Sequence, residues 1–247
     1  MTSLLALTVR ELKAFWYSPI AYVVGVFFLL LQGFIFWLLA ASLSGPGADA
    51  TWAINQAFFG TFFYWFSVLA IVPLITMRTF SEEKRTGTFE LLLTSPVTEP
   101  QIVCSKFLGA WLSYCALWAM TGFYFLLLSR WTALDWGGIA TGYLGTWLLG
   151  AVLIAVGVLA SSLTRNQIIA AVISFVLLLL LFCVSFLQNF VTSPETRKLV
   201  QYCSVLEHFQ DFSKGILDTR PIIFYGSALA ALLFLTIRAV GSPRWRS

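Results

Sequence analysis

The chain has 247 residues, of which 59% are hydrophobic and 11% charged, with a formal net charge of +4. Soluble domains carry about 25% charged residues, so these charges are too few to cover a water-facing surface, and the chain reads as an integral membrane protein. No basic stripe with interleaved aromatics points to nucleic acid, and one histidine with four scattered cysteines argues against a metal cluster or a disulfide framework.

Leu5, Val9, Leu12 and Trp16 share one stripe of a helix, and Arg10 and Lys13 fall away from it. That pattern predicts an amphipathic helix over residues 1–18 lying in the membrane interface. The next apolar run, 20–41, exceeds the about 7–15 apolar residues of a secretory signal. It reads as an uncleaved first span, although Ala48-Asp49-Ala50 resembles a cleavage site. A span needs about 20 apolar residues, and further runs lie at 57–77, 107–128, 138–163, 168–187 and 222–237, the last being the shortest. Backbone groups in lipid must be satisfied within their own segment, so the spans are helices. The expected fold is an all-α integral membrane protein with six spans, forming one domain over 1–247.

The cores of these runs hold no Asp, Glu, Lys, Arg or His. Ion-driven carriers commonly need ionisable groups at that depth, which counts against a secondary carrier. With the N-terminus inside, Arg10, Lys13, Arg78, Lys84, Arg85, Lys106, Arg165, Arg238, Arg244 and Arg246 are cytoplasmic; Arg130, Arg197, Lys198, Lys214 and Arg220 are external. The asymmetry follows the positive-inside bias and predicts both termini in the cytoplasm. Trp52, Trp131 and Trp136 then fall at outer ends of spans.

Two loops exceed mere connectors: a cytoplasmic one over 78–105 and an external one over 188–221. In the first, Thr79 and Glu82 form a capping box. It predicts a helix to about residue 93, stopped by Ser95-Pro96. Thr98 and Gln101 form a second box, opening the helix that becomes the third span. On the loop helix, Phe89, Leu92 and Leu93 share an apolar face, while Glu83, Gly87 and Glu90 form another stripe. Such a helix either docks in a groove of a soluble partner or lies against the membrane or its own bundle; the residues alone leave both open.

In the external loop, Ser193-Pro194-Glu195 reads as an N-cap with proline at the first helical position. Gly215 is suited to end a second helix in the left-handed conformation. Tyr202, Phe209 and Phe212 give these helices an apolar side, and His208 reads more simply as a capping or packing residue than as a pH-sensitive gate. The chain contains no G-x-x-x-x-G-K-[ST], no G-x-S-x-G and no H-E-x-x-H. It therefore carries no phosphate-binding loop and no recognisable catalytic set.

The run Glu82-Glu83-Lys84-Arg85-Thr86-Gly87-Thr88-Phe89-Glu90-Leu91-Leu92-Leu93-Thr94-Ser95-Pro96-Val97-Thr98, followed by Lys106-Phe107, closely resembles the signature loop of ABC-2 type transporter permeases. It looks most like the gliding-motility and copper-enzyme-maturation branch. Ser105 stands where the family usually has glycine before the lysine, so a small residue is retained. His208-Phe209-x-x-Phe212-x-Lys214-Gly215-x-x-Asp218 resembles the same branch, and Ser162-Leu163-Thr164-x-Asn166-Gln167 resembles it more weakly.

The resemblance implies a multi-pass subunit of a bacterial inner-membrane exporter, used as a dimer with a second copy or a related permease. It implies two copies of a separate ABC ATPase that hold the ATP and magnesium, with no cofactor, metal or catalytic residue in this chain. Lipid and an accessory subunit complete the implied partners. Glu82, Glu83, Gly87, Phe89, Glu90, Leu92 and Leu93 would lie on the coupling helix that receives the ATPase movement. The N-terminal helix would be the family's interfacial connecting helix. His208, Phe209, Phe212 and Gly215 would shape the external exit. The rival within this reading is a membrane scaffold in which ATP hydrolysis does mechanical work and nothing crosses.

Overall fold

The computed structural model describes residues 2–43, 58–89, 97–187 and 193–241. Its helices in chain order are α1 (Thr2–Trp16), α2 (Pro19–Leu43), α3 (Phe62–Thr76), α4 (Ser81–Thr86), α5 (Glu99–Leu128), α6 (Trp136–Ser162), α7 (Gln167–Leu187), α8 (Pro194–Cys203), α9 (Val205–Ser213) and α10 (Thr219–Val240). Six helical segments among the described residues are long and apolar enough to cross a membrane: Pro19–Leu43, Phe62–Thr86, Glu99–Leu128, Trp136–Ser162, Gln167–Ser185 and Thr219–Val240. The second joins α3 to α4 through turn residues 77–80. These are the six runs read from the hydropathy.

The boundaries of two spans move outward, each for a local reason. α5 starts at Glu99, well before the apolar run, because the Gln101 side chain accepts from the Thr98 N–H at 3.0 Å. The Thr98–Gln101 box forms the helix start predicted for it. α10 starts at Thr219 because the Asp218 carboxylate accepts from the Arg220 N–H at 3.2 Å. Pro221 then sits in the first turn, where its missing N–H breaks no helical bond.

α6 is the axis of the bundle. Of its span 78% is buried, against 22% for α7 and 11% for α10. Helices in lipid gain little from burying apolar surface against one another, so small residues that allow close approach matter more. A Cβ at Gly150 would stand 2.1 Å from the Tyr114 ring, and one at Gly157 would stand 2.2 Å from Thr76 Oγ1. Around this axis α2, α7 and α10 turn apolar residues such as Leu30, Ile168, Leu180 and Ile223 outward, where lipid would meet them. Inside, Tyr64 and Trp118 lie 5.2 Å apart, and Phe58 meets Phe125 edge-on at 4.8 Å. Some polar groups there pair between helices: Tyr64 and Thr146 hydroxyls lie 3.0 Å apart, and Gln32 donates to Ser67 at 2.8 Å.

Candidate functional site

α1, α4, the start of α5, the α6–α7 link and the end of α10 share one end of the bundle. The turn 77–80 delivers the chain from α3 into α4 there. The Thr79–Glu82 capping box expected at this point does not form. Thr79 Oγ1 donates back to the Thr76 carbonyl at 2.8 Å, and the N-cap is Phe80. The cap comes from another helix: Ser161 Oγ of α6 accepts from the N–H groups of Phe80 and Ser81 at 3.1 and 3.2 Å. Ser161 also donates to the Met77 carbonyl at 3.2 Å, so its hydroxyl is fully used. Glu82, released from capping, pairs with Arg78 at 3.3 Å.

α4 also ends sooner than expected. Gly87 has φ +75°, a left-handed conformation costly for other L-residues, and the helix stops at Thr86. Thr88–Phe89 is helical again. The single rigid helix to about residue 93 is therefore broken at Gly87. Glu90, Leu92, Leu93 and the Ser95-Pro96 stop lie outside the described residues.

Phe89 is turned into the chain's own core at 3% exposure. Its ring meets Phe80 edge-on at 6.1 Å, and the Lys84 ammonium stands 5.5 Å from its centroid. Lys84 in turn donates to the Ser162 carbonyl at the end of α6. Arg85, Thr86, Gly87 and Thr88 form an exposed stretch of the loop.

Beneath α4 lies a cluster of alternating charges from three helices. Lys106 of α5 has a side chain only 2% exposed; its Nζ is 2.9 Å from Glu83 of α4 and 3.3 Å from Glu11 of α1. Arg10 of α1 lies 2.8 Å from Glu11 and 3.1 Å from Glu83. The ammonium of Lys106 stands over Phe80, 5.3 Å from its centroid. Gly109 lets α1 this close, since a Cβ there would stand 2.7 Å from Glu11 Cβ. A second clamp holds the turn: Arg78 donates to Ser18 at 2.6 Å and to Gln167 at 3.3 Å. α4 is thus joined to α1 and α5 through paired charges, and the turn before it and Lys84 to the α6–α7 link through hydrogen bonds.

Glu82 and Glu83 from the sequence reading lie in this arrangement as parts of ion pairs, and Gly87 as the break in the loop. Arg10, Glu11 and Ser161 join the site through Glu83, Lys106 and the Phe80–Ser81 backbone, all distant in the chain, so no local pattern marks them. Gln167 did fall in the weaker resemblance motif, and its side chain accepts from Arg78.

The opposite end carries α8 and α9. Ser193 is the N-cap of α8, with Pro194 following it, as expected. Gly215 has φ +81°. The Gly215 N–H donates to the Phe212 carbonyl at 3.1 Å and the Ile216 N–H to the Asp211 carbonyl at 2.9 Å. This is the Schellman ending expected of that glycine. α9 is drawn into the bundle by its aromatics. Phe209, 1% exposed, stacks on Tyr64 at 5.1 Å; Phe212, fully buried, lies against Gly145, where a Cβ would stand 2.5 Å from it. His208 packs at the edge, 4.4 Å from the Phe224 ring, with Nε2 3.0 Å from the Tyr202 carbonyl.

A family model described as ABC-2 family transporter protein matches residues 5–241 of the chain. A search of the curated proteins finds no match.

Proposed function

The chain belongs to the ABC-2 family transporter proteins, and on that premise we propose that it is the transmembrane permease subunit of an exporter driven by a separate ABC ATPase. Two permeases, identical or related, enclose the pathway in a bacterial inner membrane, and two ATPases sit below them. Both termini and the α4 loop face the cytoplasm, while α8 and α9 face outward. The observation that carries this reading is the Glu83–Lys106–Glu11–Arg10 cluster, which ties the loop helix to a span and to α1. The absence of a phosphate-binding loop supports an outside source of energy.

The exposed residues Arg85 to Thr88 are the surface offered to the ATPase. Cysteines at Arg85 and Thr88 are expected to cross-link to the ATPase in the assembled complex, and Thr88→Trp to block assembly. Thr88 is the better probe than Gly87, because any side chain at Gly87 strains the backbone as well. No cross-link at either position, with normal assembly of Thr88→Trp, would overturn the coupling assignment. Phe89→Ala should behave differently: its loss is about 3 kcal/mol of fold stability, as for other large buried aromatics, seen as a lower Tm of the chain alone.

Topology is tested by membrane-impermeant labelling. A cysteine at Glu195 is expected to react from outside intact cells, and one at Thr88 only after permeabilisation. The purified chain alone is expected to hydrolyse no ATP.

A further inference from the structure

A cavity of about 310 Å³ lies between α1, α2, α3, α4 and α5. Its charged end is formed by Arg10, Glu11, Arg78, Glu82, Glu83 and Lys106. Its apolar end is formed by residues such as Phe15, Ile20, Leu74 and Ala110. Exposed Arg10 and Ala14 mark the rim. The wall contributed by α1 carries on its outer side the exposed Leu5 and Val9, the apolar stripe of a helix lying in a membrane interface. The polarity gradient of the cavity therefore has the character of the interface beside it, charged at one end and apolar at the other.

The charges restrict the occupant. Three cations face three carboxylates, and each cation already has a carboxylate partner: Lys106 and Arg10 with Glu11 and Glu83, Arg78 with Glu82. A ligand with one sign of charge would leave an unmatched group in a poorly solvated site, which is costly. A ligand with both signs can enter the Arg78–Glu82 pair, where both partners are partly exposed, at 32% and 38%, while Glu11 and Glu83 are 16% and 21% exposed. It offers an anion to the guanidinium and a cation to the carboxylate. The volume is at the small end of ligand cavities, which run about 300–1,000 Å³, so there is room for a headgroup and not for two acyl chains.

We propose that this cavity holds the headgroup of a zwitterionic phospholipid with a primary ammonium, its phosphate toward Arg78 and Arg10 and its ammonium toward Glu82, while its chains leave past Phe15 and Ile20. A primary ammonium can donate N–H to Glu82; a quaternary one cannot. The inference rests on the chain lying in a membrane and does not depend on the ATPase assignment.

The test uses the full chain in detergent, stripped of lipid and offered phosphatidylethanolamine, phosphatidylcholine or phosphatidylglycerol, with retained lipid counted by native mass spectrometry. Phosphatidylethanolamine is expected to be retained about tenfold over the other two, the worth of one charge-assisted hydrogen bond. Ala14→Phe fills the cavity from an exposed position without removing a charge and should abolish that preference. Glu82→Gln leaves the lining one positive charge in excess and should make phosphatidylglycerol the better-retained lipid. Equal retention of all three lipids by the native chain would refute the proposal, as would an unchanged preference in both variants. Equal retention of soluble phosphoethanolamine would assign the site to a free solute instead. If lipid binds as expected while the ATPase cross-links fail, only the coupling assignment falls.

Discussion

Lys106→Met is expected to destabilise the folded chain by about 3 kcal/mol, the low end of what removing one partner of a buried ion pair costs. The substitution keeps an unbranched apolar side chain of nearly the same length, and a thioether can still lie against the Phe80 ring that the ammonium faced. What it removes is the positive charge held 2.9 Å from Glu83 and 3.3 Å from Glu11. Two carboxylates then face each other with Arg10 as their remaining close cation. Glu11 and Glu83 are 16% and 21% exposed, so water relieves part of the repulsion, which is why the low end applies. The decisive comparison adds Glu11→Gln to Lys106→Met, which leaves Arg10 and Glu83 as a matched pair 3.1 Å apart. Removing one charge of each sign should recover most of the loss, because the penalty comes from unmatched charge and not from lost volume. Arg85→Met, on the exposed part of the loop, should change stability by less than about 0.5 kcal/mol. Thermal unfolding in detergent reads these differences, and limited proteolysis after α1, at exposed Tyr17, reads release of that helix. A Lys106→Met chain that melts with the native one would mean that the cluster holds nothing together.

The spans were legible because each is specified by its own composition. A bilayer selects long uncharged runs, and no distant residue changes that requirement. The starts of α5 and α8 and the end of α9 were legible for a similar reason: Thr98 with Gln101, Ser193 with Pro194, and Gly215 complete their ends within a few residues of chain. α4 shows where this stops. Thr79 and Glu82 have the same letters as a capping box, yet both side chains find other partners. Thr79 bonds the preceding turn, Glu82 pairs with Arg78, and the cap arrives from Ser161, eighty residues on. A local rule cannot anticipate a donor count that a neighbouring helix has already satisfied.

Gly87 and Phe89 make the same point about packing. A helical pattern drawn through Gly87 assumes right-handed backbone, and its φ of +75° breaks the stripe on which Glu83 and Gly87 were aligned. Phe89 was correctly apolar, but an apolar face does not say whether its partner is another protein or its own bundle. The charge cluster was hidden by distance: Glu11 and Lys106 are 95 residues apart. In the sequence each looks like an ordinary interfacial charge.

Gly150→Ala should cost about 3 kcal/mol or more, beyond the usual overpacking range of 1–3 kcal/mol, although alanine is the better helix former. The two effects oppose each other. Alanine in a helix interior gains about 1 kcal/mol over glycine. Against this, the new Cβ would stand 2.1 Å from one carbon of the Tyr114 ring and 2.7 Å from the next. Tyr114 is fully buried and its ring lies 6.2 Å from that of Trp118, which is fully buried as well. The ring is enclosed, so the contact is relieved only by shifting Tyr114 against its buried neighbours or by parting α5 from α6. Gly122 is the control: it lies in α5, and a Cβ there meets nothing within 4 Å. Gly122→Ala should leave stability unchanged or raise it by up to about 1 kcal/mol. The cause is isolated by a double-mutant cycle, because residues in contact couple and distant ones add. Tyr114→Ala alone opens a cavity and destabilises, but with Gly150→Ala present the added methyl has room, so the pair should cost clearly less than the sum of the two single changes. Unfolding in detergent measures all four chains. Additive losses, or a Gly150→Ala chain as stable as Gly122→Ala, would show that α6 is not held against α5 by the missing side chain.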